Sequence, residues 1–146
     1  MTADERGTIL PLVAGFTVIA LLLVLGAIDA SAAFLAQRDL ASVCDGAALS
    51  AAQSVSPQSV YERSAGQATL PLDAGLVTQA VRTYQDRNYA GDAGGLSMDA
   101  SVVDAAGGPT VTVVCRRTAR LPFGALVGYA NGLPRTAVSS ARAPLR

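Results

Sequence analysis

The sequence predicts an α+β protein: a long N-terminal transmembrane helix continues outside the membrane and is followed by a small head with one helix and a short antiparallel sheet. Three observations predict this arrangement. The 22 residues from 7 to 28 contain no ionisable side chain. Beyond them, apolar residues recur at helical spacing to about residue 54. From residue 96 the apolar spacing changes to two, as is typical of strands.

Composition excludes several classes of function. The 146 residues carry eleven acidic and eleven basic side chains, with no lysine and no histidine. Their absence removes the commonest general base, metal ligand and Schiff-base nucleophile, and zero net charge disfavours nucleic-acid binding. We therefore expect no enzyme, no catalytic, cofactor or metal site, no nucleic-acid partner and no small-molecule substrate. Only 15% of residues are charged, which favours a partly membrane-embedded chain because typical soluble domains have about 25%.

The uncharged segment is long enough to span a bilayer. Its 22 residues would form a helix of roughly 33 Å, against a hydrocarbon core of roughly 30 Å. Pro11 fits the first turn if Thr8 is the N-cap, because first-turn amides have no partner within the helix. We therefore predict a cytoplasmic head at residues 1–7 and a transmembrane helix at residues 8–28.

Charge alone specifies the orientation of this segment poorly, because Arg6 lies on one side and Arg38 on the other. The short N-terminal head and the long tail favour a single-pass protein of the cytoplasmic membrane with its C-terminal domain outside. The small-x-small sequence Ala30-Ser31-Ala32 supports an alternative, a secreted or membrane-tethered binding module released by signal-peptide cleavage near Ala32. The acidic residues in MTADER and the length of the apolar run favour a retained anchor.

The helix is predicted to continue outside the membrane over residues 29–56, with Pro57 as its stop. Arg38 and Asp45 lie on the face away from its apolar side. Small residues four apart at the membrane boundary, such as Gly26 and Ala30, also favour close helix association, although alanine is abundant throughout the chain. The apolar face consists of Ala33, Ala36, Leu40, Val43, Ala47 and Ala51.

Residues 57–146 are predicted to form a small extracytoplasmic α+β domain. Residues 57–72 are polar and indicate a loop, after which Asp73 caps a helix that ends near Asn88. Residues 121–132 indicate a short helical turn between the second and third strands. The three predicted strands, which form a small antiparallel meander, are residues 97–103, 110–118 and 136–143.

The two cysteines are predicted to face the same core. Cys44 lies on or beside the apolar face of the long helix, and Cys115 shares a strand face with Val111 and Val113. Because these elements should pack together, we expect a disulfide in an oxidising compartment, with two reduced buried thiols as the alternative.

The N-terminal third of the chain resembles a known family. It reads ERGTILPLVAGF into the apolar segment and GAIDASAAFLAQRDLASVCDGAALSAA beyond it, and so resembles the N-terminal segment of the TadG-like (TadE/TadG-related) proteins of bacterial tight-adherence (Flp) pilus assembly. Leu12 stands where TadE-type pseudopilins carry glutamate, which disfavours prepilin-peptidase processing. The matching positions are Arg6, Gly7, Asp29, Phe34, Arg38, Leu40, Asp45, Ala47, Ala48, Leu49 and Ala51.

The resemblance implies a single-pass, membrane-anchored component of a Flp pilus or related secretion assembly that acts through helix packing and protein contacts. Its implied partners are the lipid bilayer and either other pilus-assembly membrane proteins or copies of itself. The alternative for Asp29 and Arg38 is that they only mark where the helix leaves the lipid. The candidate partner contacts are Gly26, Asp29, Ala30, Arg38 and Asp45.

Overall fold

The computed structural model describes residues 9–54, 73–92, 95–105 and 108–142. It contains a long apolar N-terminal helix followed by a small head with a second helix and a three-stranded antiparallel sheet, so the predicted fold class is confirmed. The predictions for residues 1–8 and for the loop at 57–72 lie outside the described residues. The elements are α1 (Ile9–Ala52), α2 (Ala74–Tyr89), β1 (Ser97–Ala105), β2 (Gly108–Ala119), a 3-10 helix (Gly124–Val127) and β3 (Leu133–Arg142).

The element ends lie within a few residues of those predicted. The side chain of Asp73 caps α2 by accepting hydrogen bonds from the amides of Gly75 at 2.6 Å and Leu76 at 3.2 Å. β3 begins at Leu133, three residues before its predicted start, because its pairing with β2 continues to the end of that strand. Pro134 fits there because β3 is an edge strand, where a missing backbone donor is tolerated.

The sheet is an antiparallel meander with β2 in the centre. Cys115 of β2 pairs with Met98 of β1 and Ala137 of β3, so these three residues share one face. That face packs against the distal half of α1 and against α2, and the core lies between them. The core residues are Leu40, Val43, Cys44, Ala47, Ala48, Ala51, Ala52, Val77, Val81, Leu96, Val111, Val113, Cys115 and Ala137.

Small residues let α1 approach the head closely. Its buried face ends in four alanines, which the predicted apolar face included in part. Gly46 lies on the same stretch, and a methyl group there would collide with the Tyr84 hydroxyl. The glycine that weakens helix propensity by about 1 kcal/mol therefore makes room for α2.

The strands run alongside α1. Gln37 donates a hydrogen bond to the carbonyl of Thr136 at 3.1 Å, and Asp45 accepts one from the hydroxyl of Ser139 at 2.5 Å. β3 therefore runs in the same direction as α1, and β2 runs in the opposite direction. Consequently the connection between β2 and β3 lies toward the apolar N-terminal half of α1.

The first half of α1 projects beyond the head. An 18-residue window of this helix has a mean hydropathy of 2.7, and none of the window is buried. By length and composition the helix could cross a membrane. The exposed large apolar residues here are Ile9, Leu10, Leu12, Val13, Phe16, Val18, Ile19, Leu21, Leu22, Leu23, Val24 and Ile28.

Candidate functional site: the α1 surface and its junction with the head

A disulfide between Cys44 and Cys115 joins α1 to the central strand of the sheet. Both residues are fully buried, and their Cα atoms are 5.8 Å apart, which is within the usual range for a disulfide. The Cys44 sulfur also contacts the carbonyl oxygens of Val113 at 3.4 Å and Ala137 at 3.5 Å. The structure therefore brings together the two cysteines that the sequence analysis placed on facing elements.

A paired arginine forms a second link between α1 and the head. The Arg117 guanidinium contacts Asp39 on α1 at 2.9 Å and Asp92, which follows α2, at 2.9 Å. One side chain of β2 thus connects both helical segments to the sheet. This pairing was not predicted from the sequence, although Arg117 is two residues from Cys115 and therefore falls on the inward face of its strand.

Asp29 forms a third link, at the point where the apolar segment ends. Asp29 is 9% exposed, and its Oδ1 accepts a hydrogen bond from the backbone amide of Phe123 at 3.0 Å. Phe123 immediately precedes the 3-10 helix in the connection between β2 and β3. Asp29 is one of the candidate partner contacts, and in the structure its Oδ1 accepts this hydrogen bond from the protein's own head.

The other predicted contact residues are exposed. Arg38 and Asp45 lie on the part of α1 beside the head, and Gly26 and Ala30 lie four residues apart near the end of the apolar segment. Asp45 also accepts the hydrogen bond from Ser139, so it lies at the flank nearest β3. Along α1 these four residues form two groups, Gly26 with Ala30 near the end of the apolar segment and Arg38 with Asp45 beside the head.

Helical spacing shows which side of α1 remains uncovered. Arg38, Ser42 and Leu49 recur at intervals of four and seven residues, and all three are exposed. They lie opposite the buried core residues such as Leu40 and Ala47. We call Arg38, Ser42 and Leu49 the outward face of α1, with Phe34 and Asp45 at its border.

Two surface grooves of the head lie beside α1. One of about 490 Å³ lies between the end of α1 and α2, and includes Tyr84 and Arg87. The other, of about 460 Å³, lies between α1 and the sheet, and includes Arg117, Arg120 and Arg135. Within residues 9–54, 73–92, 95–105 and 108–142, no three histidine, cysteine or acidic side chains approach as a metal site would require.

Two tyrosines of α2 lie against each other beside the core. The ring centroids of Tyr84 and Tyr89 are 6.1 Å apart and the rings are tilted by 46°. Burial raises the pKa of Tyr89 above its ordinary value of 10.0, and neighbouring Tyr84 raises it further. The neutral phenol of Tyr89 is therefore favoured in the folded head.

The N-terminal segment is similar to a known protein family. Residues 7–54 match the family model described as putative Flp pilus-assembly TadE/G-like. The match covers about a third of the chain and coincides with α1, both its apolar half and the half that packs against the head. Comparison with curated proteins and with solved structures gave no match. The resemblance predicted from the sequence is thus confirmed for residues 7–54, where α1 is similar to TadE/G-like pilus-assembly proteins.

Proposed function

We propose that this protein is a single-pass component of a Flp-type pilus or related secretion assembly. The apolar half of α1 anchors it in the cytoplasmic membrane, and the head lies outside. It acts by protein contacts along the outward face of α1 and needs no catalytic group. The observation that carries the proposal is the coincidence of the TadE/G-like match with a helix whose first half is apolar and unburied.

The junction at Asp29 supports a retained anchor over a cleaved signal peptide. α1 continues without interruption through Ala30 and Ala32, the residues of the alternative cleavage site. Cleavage there would also remove Asp29, whose carboxylate holds the amide of Phe123. The segment before the cleavage site is therefore part of the folded head as well as part of the anchor.

The outward face of α1 supports a role in protein contacts. The long helix binds the head on one side only, and the opposite side presents Arg38, Ser42 and Leu49 to the surroundings. Leu49 is 56% exposed and Phe34, at the border, is 67% exposed. Aromatic residues and arginine are enriched in protein–protein interfaces relative to the rest of the surface. At the membrane boundary, the small residues Gly26 and Ala30 allow a second helix to approach closely.

Anchoring and topology can be tested together in cells. We expect the full-length protein to stay in the membrane pellet after alkaline carbonate extraction and to start before residue 33 on N-terminal sequencing. A phosphatase that is active only outside the cytoplasm, fused after the last residue, should be active. Release by carbonate, or a chain that begins at residue 33, would overturn the anchor. An inactive but stable fusion would overturn the orientation.

The contact surface can be tested by photocrosslinking in native membranes. Photoreactive residues at Arg38, Ser42 and Leu49 should form adducts with protein. The matched control is Val138, which is 64% exposed on the opposite face of the sheet and should form none. Co-expression of an epitope-tagged copy distinguishes self-association from other pilus-assembly partners. Adducts with lipid alone at all three helix positions, or equal protein adducts at Val138, would refute the proposed surface.

A further inference from the structure

We propose that the connection between β2 and β3 is a second membrane contact, inserting its apolar tip into the outer interface of the bilayer beside α1. We call residues 120–132 the β2–β3 loop. The inference rests on the proposed single-pass anchoring, because α1 defines where the bilayer surface lies. It assigns a lipid surface as the partner of a part of the head that the TadE/G-like match does not include.

The β2–β3 loop lies beside the end of the apolar segment of α1. The end of β2 lies level with Leu35 and Ala36 of α1, since these residues line one groove with Ala119. Phe123, four residues further along the chain, lies level with Asp29. The loop therefore extends by about six helix residues, or roughly 9 Å, toward the apolar segment. Its tip lies where the apolar segment of α1 ends and where the membrane surface is expected.

The β2–β3 loop exposes large apolar and aromatic side chains. Leu126 is 74% exposed, Val127 is 60% exposed and Tyr129 is 49% exposed. The 3-10 helix and the following turn thus place three large apolar or aromatic residues within four positions. Such side chains are costly in water but favourable in the bilayer interface, where tyrosine is enriched. Arg120, exposed at the base of the loop, adds a positive charge suited to anionic headgroups.

Backbone amides of the β2–β3 loop donate hydrogen bonds within the chain. Pairing of polar backbone groups lowers the cost of moving a segment from water toward the apolar part of the bilayer. The amide of Leu126 donates a hydrogen bond to the carbonyl of Phe123 at 2.9 Å, and the amide of Tyr129 donates one to the carbonyl of Gly124 at 2.7 Å. The amide of Phe123 itself is bonded to Asp29. The loop therefore presents apolar side chains next to three backbone donors that are already paired within the chain.

The absence of tryptophan from the sequence allows a direct test. We would compare three full-length single-tryptophan variants, Leu126→Trp in the loop, Leu22→Trp in the apolar segment and Val138→Trp on the outer sheet face. Each is reconstituted into vesicles of phosphatidylcholine and phosphatidylglycerol, with or without bromine on the acyl chains. Because bromine labels both leaflets, the direction of insertion does not affect the result. We expect brominated lipid to quench Leu126→Trp and Leu22→Trp, and to leave Val138→Trp unquenched.

The three positions separate failure of the loop from failure of the anchor. Quenching at residue 22 but not at residue 126 overturns the loop contact and leaves the anchor standing. No quenching at either position overturns both. Blue-shifted emission at residue 126 without quenching overturns the lipid contact, because the tryptophan is then buried against protein. Val127→Trp is a second reporter on the same turn, so a folding defect in one variant leaves the inference testable.

Discussion

Removing the disulfide should strongly destabilise the head. The bridge connects residues 71 positions apart, and the chain-entropy account gives about 4 kcal/mol for closing a loop of that length at 25 °C. Small domains are stable by only about 5–15 kcal/mol. Loss of the bridge should therefore remove a large share of the stability of the head. Cys44→Ala with Cys115→Ala should lower it further, because two buried sulfur atoms are lost with the bond.

The measurement is urea unfolding of the full chain in detergent micelles, followed by the near-ultraviolet circular dichroism of its tyrosines. This signal reports on Tyr84 and Tyr89 in the head, whereas far-ultraviolet signal includes the apolar half of α1. Both sulfurs are buried, so the wild-type protein must be reduced in urea and refolded with reductant present. With an m value of about 1–3 kcal/mol/M, the urea midpoint should fall by about 1–4 M.

The reduced wild-type protein is the decisive comparison because it keeps every heavy atom of the core. The expected order of midpoints is oxidised wild type, reduced wild type and then the double-alanine variant. Equal midpoints for the oxidised and reduced proteins would refute the entropic argument. An intact mass that does not increase by two hydrogen atoms on reduction would show that the purified protein lacks the bridge.

Three further predictions test the packing of the head. Gly132→Ala should lower the free energy of unfolding in urea by about 1–3 kcal/mol, because Gly132 has φ +84° and a Cβ there would lie 2.7 Å from a carbonyl oxygen of β2. The control Gly95→Ala, with φ +65° and open space around it, should lower it by less. Ala47→Leu should cost about 1–3 kcal/mol by overpacking the fully buried face of α1, whereas exposed Ser42→Leu should stay within about 0.5 kcal/mol. Tyr89 has a raised pKa in the folded head, so the stability that depends on its neutral phenol is present below pH 10 and is lost as pH rises through the folded pKa. In Tyr89→Phe the free energy of unfolding should decline less steeply over that pH range. Equal declines in the variant and the wild type would contradict this prediction.

The elements of the fold could be predicted because their signals are local. The uncharged segment, the apolar face of α1 and the cap at Asp73 each depend on residues a few positions apart. The cysteine pair could also be predicted, because each cysteine lies on the apolar face of its own element. Those two local patterns, together with the expectation that the elements pack, were sufficient to place Cys44 opposite Cys115.

The junctions between the head and α1 could not be predicted, because their partners are distant in sequence. Asp29 and Phe123 are 94 residues apart, and nothing near Asp29 distinguishes a buried acceptor from a charge that marks the membrane surface. Arg117 carries a weak signal as a charged residue on an inward strand face, but its partners Asp39 and Asp92 become evident only when α1, β2 and the end of α2 are placed together. Local periodicity specifies faces, and long-range pairing requires the assembled fold.

The three junctions explain how a contact made on α1 could position the whole head. They lie at successive levels of the helix: Asp29 bonds to the β2–β3 loop, Asp39 pairs with Arg117, and Cys44 is bonded to Cys115. A single junction would allow the head to pivot about α1. Three junctions spread over 15 residues, or roughly 23 Å of helix, oppose both pivoting and sliding. A partner that binds the outward face therefore also fixes the orientation of the sheet, and a membrane contact by the β2–β3 loop would fix the tilt of α1. In the proposed arrangement the long helix would be the shared element that holds bilayer, head and partner in one geometry.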